Sequence, residues 1–219
     1  MIKIKNSARL FFAITFLAAF ALWTVAICFV DVRAIGPNES SVGFATLNGF
    51  IHNLTGVHFS LYVITDWMGL MPLCIAVGFG LLGLIQWVRR KKLFKVDYNL
   101  FVLGGFYVVV LGAYLFFEAF PINYRPVLID GYLETSYPSS TTLLVLCIMP
   151  TAILQWNNRI SNRVLQKIVQ TASVAFIFFM VIGRLLAGVH WFTDIVGGVL
   201  LSASLVEAYR FFVNIKTRT

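Results

Sequence analysis

The chain has 219 residues, of which 59% are hydrophobic and only 12% charged, and its mean hydropathy is +0.86. A soluble domain carries about 25% charged residues, so this composition excludes a water-soluble globular protein and makes the bilayer the main solvent. The net charge of +8 does not point to nucleic acid, because the basic residues fall in short segments between apolar blocks.

Six apolar segments come near the roughly 20 residues that a spanning helix needs. The first covers Leu10–Val30. It follows a basic start and is longer than the apolar core of a cleaved signal peptide, so it reads as a retained anchor. The second, Leu61–Val88, is long enough to include an interfacial start. The third is Asn99–Glu118, and the fourth, Ser140–Trp156, is short and carries Pro150. The fifth is Ile168–Val189 and the sixth Trp191–Val213. Between the first two, Asp31–Ser60 is mixed; its stretch Val42–Phe59 is predicted to be a helix lying at the interface. The expectation is an all-α polytopic protein with one membrane domain over 1–219. Two leading helices and an outer loop occupy 1–98, and a bundle of helices three to six occupies 99–213. Cys28, Cys74 and Cys147 all fall in apolar segments and read as small core hydrophobes rather than a disulfide or metal set.

The Lys and Arg bias sets orientation. Lys3, Lys5, Arg9, Arg89, Arg90, Lys91, Lys92, Lys95, Arg159, Arg163, Lys167, Arg210, Lys216 and Arg218 fall on one side. The other side receives only Arg33, Arg125 and Arg184 of the 17 basic residues. Both termini are therefore expected to be cytoplasmic, in a multi-pass protein of the cell membrane. Asp31, Glu39, Asp66, Glu118, Asp130, Glu134 and Asp194 gather on the outer side, and ionisable groups at membrane depth usually mark a site or a satisfied pair.

Three outer clusters carry chemistry. Asn123-Tyr124-Arg125-Pro126 follows the third helix; Arg125 suits phosphate oxygens or pairs with Glu118 or Asp130. Tyr137-Pro138-Ser139-Ser140-Thr141-Thr142 opens the fourth helix, where hydroxyls cap the helix or join free N–H groups in an anion site. Arg184 and the segment His190-Trp-Phe-Thr-Asp194 form the third. His190 and Asp194 are four apart, so on a helix they share a face and touch. An oriented imidazole beside a guanidinium is equipment for attacking phosphorus. Glu207 and Arg210 read as a stabilising pair.

These motifs resemble the type 2 phosphatidic acid phosphatase (lipid phosphate phosphatase) superfamily, whose members carry Lys-x6-Arg-Pro, Pro-Ser-Gly-His and Ser-Arg-x5-His-x3-Asp. This chain has Glu118-x6-Arg125-Pro126, Pro138-Ser139-Ser140-Thr141 and Gly183-Arg184-x5-His190-x3-Asp194. The resemblance covers roughly Asn99–Val213. It implies that His190 attacks phosphorus to form a phosphohistidine, that Asp194 orients it, and that Arg125, Arg184, Ser139 and Ser140 hold the phosphoryl oxygens at the extracytoplasmic face. It implies a lipid phosphate substrate, membrane lipids as surroundings, no nucleic acid, no cofactor and no metal.

Three positions depart from the pattern: Glu118 stands for lysine, Gly183 for serine, and Thr141 for the histidine that protonates the leaving group. An alkoxide leaves as the base of an acid with pKa about 16, whereas a phosphate monoester has a second pKa of about 6. A lipid diphosphate, such as a polyprenyl diphosphate, therefore suffers least from the missing acid. Glu118, Tyr124, Tyr137, His52 and His58 are outer groups that could substitute, with Thr141 itself at the altered position. The alternatives are a degenerate member that binds a lipid phosphate without turnover, and a lipid transporter.

Overall fold

The computed structural model describes residues 6–215, so Lys3, Lys5, Lys216 and Arg218 of the charge bias lie outside the described residues. The elements run α1 (Asn6–Phe29), a two-stranded antiparallel hairpin of β1 (Arg33–Ala34) and β2 (Ser41–Val42), α2 (Ala45–Thr55), α3 (Phe59–Met68), α4 (Leu70–Arg90), α5 (Tyr98–Ala119), α6 (Ser140–Asn157), α7 (Arg163–Leu186) and α8 (Phe192–Ile215). Six stretches are long and apolar enough to cross a membrane: α1, α3 with α4 across Gly69, α5, α6, α7 and α8. The expected all-α, six-span architecture is the observed one.

Boundaries differ where local chemistry overrides hydropathy. The fifth span starts at Arg163 rather than Ile168, because the Asn162 side chain accepts hydrogen bonds from the backbone N–H groups of Val164 and Leu165 and caps the helix there. It stops at Leu186, before Gly188 at φ +68° breaks the helical path. The helix expected within Val42–Phe59 is shorter and lies between Phe44 and Gly56, both at positive φ. Of the three cysteines only Cys147 is buried; Cys28 and Cys74 lie on exposed faces of α1 and α4, so they are not the core residues expected of them.

Among helices already in lipid, association rests on close packing and interhelical hydrogen bonds rather than on expelling water. α8 is the central helix, packing on α1, α6, α5, α2 and α7. Its Gly197 is needed for this approach: a Cβ there would lie 2.4 Å from the Tyr137 ring. The main core joins Phe20, Leu103, Phe106, Tyr137, Leu143 and Tyr209. Several buried polar groups are partnered across helices. Gln155 Nε2 donates to Tyr209 Oη at 2.7 Å, and Ser204 Oγ donates to the Ala13 carbonyl at 2.9 Å. The expected Glu207–Arg210 pair forms at 2.6 Å, and Glu207 also takes Arg9 at 3.0 Å.

The segment between α5 and α6 doubles back on itself. Arg125 N–H donates to the Glu134 carbonyl at 3.0 Å and Ser136 N–H to the Asn123 carbonyl at 2.9 Å, with a turn between Ile129 and Tyr132. This hairpin brings Asn123, Arg125, Glu134 and Ser136 over the first turns of α6 and α8.

Candidate active site

His190 sits in the short connection between α7 and α8. That connection is tight. A Cβ on Gly188 would lie 2.0 Å from the Gly56 carbonyl oxygen, and His58 N–H donates to the Ala187 carbonyl at 3.0 Å. Asp194, fully buried in the first turn of α8, accepts the Trp191 N–H at 2.9 Å, where the helix N-terminus favours an anion. The same carboxylate accepts from Asn123 Nδ2 at 3.3 Å and from Ser136 Oγ at 2.5 Å.

His190 and Asp194 do not touch in the way their spacing suggested. His190 lies outside α8, and its Nδ1 is 3.9 Å from Asp194 Oδ2. Ser136 Oγ stands between them, 2.9 Å from His190 Nδ1. Ser136 was not singled out from sequence; a serine 54 residues away in a polar loop carries no signal of this role.

Arg184, in the last turn of α7 and 1% exposed, reaches the other face of the imidazole. Its Nη2 is 3.2 Å from His190 Nε2, and its Nη1 is 3.4 Å from Thr65 Oγ1 and 3.7 Å from Asp66 Oδ1. Arg125 Nε lies 3.1 Å from Glu134 Oε2, not beside Glu118 or Asp130, and its buried Nη1 has no hydrogen-bond partner among the described residues. The Tyr62 ring lies under both guanidiniums, 5.1 Å from Arg184 Cζ and 5.9 Å from Arg125 Cζ. Helix α3 thus supplies Tyr62, Thr65 and Asp66 to a site expected to involve only helices three to six. Gly183, at the family's serine position, faces the Thr65 methyl, which would be 2.9 Å from a Cβ there.

A cavity of about 410 Å³ opens beside these groups. Arg125, Glu134, Ser136, Ser140 and His190 line its polar part, and Tyr114, Phe117 and Leu143 its apolar part. Ser140 is on the wall as expected. Ser139 is not: it is fully buried, its hydroxyl accepts from Thr142 Oγ1 at 3.0 Å and its N–H donates to the Asp194 carbonyl at 3.1 Å. Glu118 lines the cavity and accepts from Thr135 Oγ1 at 2.8 Å. Tyr124 contributes its carbonyl, which accepts from Trp191 Nε1 at 2.8 Å. Thr141 points its methyl at Gly69, 3.6 Å from where a Cβ there would be. Tyr137 packs into the core with its hydroxyl 2.7 Å from Thr24 Oγ1, and His52 lies against Trp191 with ring centroids 5.5 Å apart. His58 Nε2 contacts the Thr55 carbonyl at 2.9 Å. Among the described residues, no three His, Cys, Asp or Glu side chains group as metal ligands.

The electrostatics suit a nucleophile. Burial, and then the charges of Arg125 and Arg184, push the His190 pKa well below its ordinary value of 6.5, so the ring is neutral at pH 7. A neutral imidazole has one ring nitrogen with a free lone pair, and here two fixed cations stand beside it. That arrangement can bind a multiply charged anion and attack its central atom.

The PAP2 superfamily profile matches residues 102–217 of this chain. Among solved structures, the transmembrane PAP2-type phosphatidylglycerolphosphate phosphatase from Bacillus subtilis aligns with a TM-score of 0.59 and 18% sequence identity, over 93% of this chain and 96% of that chain. At that identity the likeness shows a shared fold. No curated relative matches the chain.

Proposed function

The chain belongs to the PAP2 superfamily, and from that membership we propose that it is a membrane lipid phosphatase or phosphotransferase working through a phosphohistidine on His190. The carrying observation is the neutral, buried His190, held at Nδ1 by Ser136 and beside Arg184 at Nε2, on the wall of a cavity that is polar at one end and apolar at the other. Nε2 attacks phosphorus, the leaving oxygen departs with the bonding pair, and water then releases phosphate from the ring. Arg125, Arg184 and the free N–H groups of the first turn of α6 near Ser140 stabilise the phosphoryl oxygens. Asp194 holds the nucleophile in its tautomer.

The substrate we infer is a lipid diphosphate, with a polyprenyl diphosphate as the type case. Thr141 cannot protonate an alkoxide, and a phosphate leaving group needs that proton least. The apolar wall of Tyr114, Phe117 and Leu143 suits the chain of an amphiphile. The site is assigned to the extracytoplasmic face, because Arg89–Lys95 and the Arg159–Lys167 region mark the opposite ends of their helices as cytoplasmic. A transporter is disfavoured: the polar groups collect at one end of the bundle rather than at its middle.

Phosphate release from matched lipid mono- and diphosphates, by the purified protein and by His190→Ala, tests this reading. Turnover should favour the diphosphate and vanish in the variant. Faster monophosphate hydrolysis would remove the leaving-group argument. Binding without turnover by the unaltered protein would support the second reading, a lipid-phosphate binder, which the carboxylates Glu134 and Asp66 beside the two arginines favour.

A further inference from the structure

We propose that Asp194 orients His190 through the Ser136 hydroxyl, which makes Ser136 a positioning residue of the reaction; this rests on His190 being the nucleophile. The direct gap between His190 Nδ1 and Asp194 Oδ2, 3.9 Å, is too long for a hydrogen bond. The path through Ser136 Oγ has two short legs, 2.9 Å to Nδ1 and 2.5 Å to Oδ2.

The protons along this path are determined. Asp194 faces three donors: the Trp191 N–H, Asn123 Nδ2 and Ser136 Oγ. That surrounding suits an ionised, acceptor-only carboxylate. The serine hydroxyl has one proton and two lone pairs. With its proton directed to Asp194, only lone pairs face the ring, so Nδ1 must carry the hydrogen and donate it. The opposite nitrogen gives the same answer independently. Arg184 has only donors, so its Nη2 at 3.2 Å requires a lone pair on Nε2. Contacts at both ring nitrogens therefore select one tautomer, with Nε2 as the attacking atom.

The relay carries orientation, not a proton. When the Nε2 lone pair forms the N–P bond, the P–O bond breaks and its electron pair goes to the leaving oxygen. The ring becomes cationic and keeps its Nδ1 proton, so the bond to Ser136 strengthens while Asp194 stays ionised. When water attacks phosphorus, the N–P pair returns to Nε2 and a water proton passes to solvent. The fold is built for this placement. Ser136 N–H donates to the Asn123 carbonyl, and the Asn123 side chain binds the same Asp194 carboxylate, so one rung of the α5–α6 hairpin delivers both groups.

The test uses the full chain in detergent with Ser136→Ala, Asp194→Asn, the double variant and Ser136→Cys, which keeps the side-chain connectivity but puts a larger, weakly hydrogen-bonding thiol in place of the hydroxyl. Monodispersity and thermal melting select the variants that fold. Steady-state phosphate release should show kcat falling about 10–100-fold in Ser136→Ala, by analogy with the loss on removing the partner that orients a metal-bound histidine, with KM little changed. The double variant should be no slower than the slower single variant. Losses that multiply would mean that Asp194 acts without Ser136 and would overturn the proposal. A second readout needs no turnover. Proton and nitrogen-15 spectra of the three histidines, with His190 assigned by His190→Ala, should show a hydrogen-bonded Nδ1–H in the unaltered protein and a weakened or lost hydrogen bond at that atom in Ser136→Ala and Ser136→Cys. An unchanged Nδ1–H signal in both variants refutes the relay whatever the activity. A changed Nδ1–H signal in a protein inactive on every lipid phosphate upholds the relay and refutes the enzymatic reading alone.

Discussion

Replacing Thr141 by histidine returns an acid to the position where this superfamily keeps one, and the effect should depend on the leaving group. Thr141 lies in the first turn of α6, next to Ser140 on the cavity wall. Its methyl faces Gly69, which offers no side chain for a larger residue to displace. General acid catalysis is worth about 10²–10⁴-fold, or about 3–5 kcal/mol of barrier. An alkoxide, whose conjugate acid has a pKa of about 16, should receive most of that gain. A departing phosphate, with a second pKa of about 6, should receive little. Thr141→Gln provides a control of similar size without an acid. The assay is kcat/KM for matched lipid mono- and diphosphates near pH 6.5. We expect the monophosphate rate to rise by roughly 10²-fold or more and the diphosphate rate to change several-fold at most. Equal gains on both substrates, or no monophosphate gain in a variant that melts like the unaltered protein, would refute the leaving-group reasoning.

Two further outcomes follow from the site. Because the His190 pKa is held well below 6.5, kcat/KM should stay level as pH falls through 6.5, with the acid limb appearing only below it. For the same reason the unfolded chain takes up a proton near pH 6.5 that the folded chain refuses, so melting temperature should fall as pH drops below 6.5; an acid limb centred at or above 6.5 would contradict the burial argument. Gly188→Ala should lower thermal stability and phosphate release together. Its φ of +68° costs about 1–2 kcal/mol for an L-residue, and the new Cβ meets the Gly56 carbonyl, a backbone group that cannot rotate away. Gly131→Ala, at φ +84° with open space around it, should lose only the backbone part and keep its activity. Equal melting points for the two variants would remove the clash from the explanation.

The spans were legible because long apolar blocks leave few other folds, and charges at their ends mark where they stop. His190, Asp194, Arg184 and Arg125 stood out for the same reason: an ionisable group among leucines and phenylalanines is costly and conspicuous. Ser136, and the role of Asn123 toward Asp194, were not legible, because a serine and an asparagine in a polar loop are ordinary and their partners are far along the chain. Tyr62, Thr65 and Asp66 carried a faint signal, polar atoms at i, i+3 and i+4 on an otherwise apolar helix, which puts them on one face. The contrast between Ser139 and Ser140 was beyond sequence reasoning. They are neighbours with the same side chain, but Ser139 is the non-helical N-cap and Ser140 the first residue of α6, so the change of backbone path between them puts one in the core and the other on the cavity wall.

The pairing of α1 with α8 has a consequence for how the protein is made. Trp23 Nε1 on α1 donates to the Thr193 carbonyl beside Asp194, and Asn48 Nδ2 donates to the Thr193 hydroxyl. Synthesis delivers α1 early, whereas α8 brings both Asp194 and the glycine face that receives Tyr137. A ribosome-bound chain that has inserted everything up to α7 therefore holds its arginines with no oriented nucleophile. The proposed reactive centre forms only once α8 has joined α1, and a translation product interrupted before α8 should be inert toward the lipids around it.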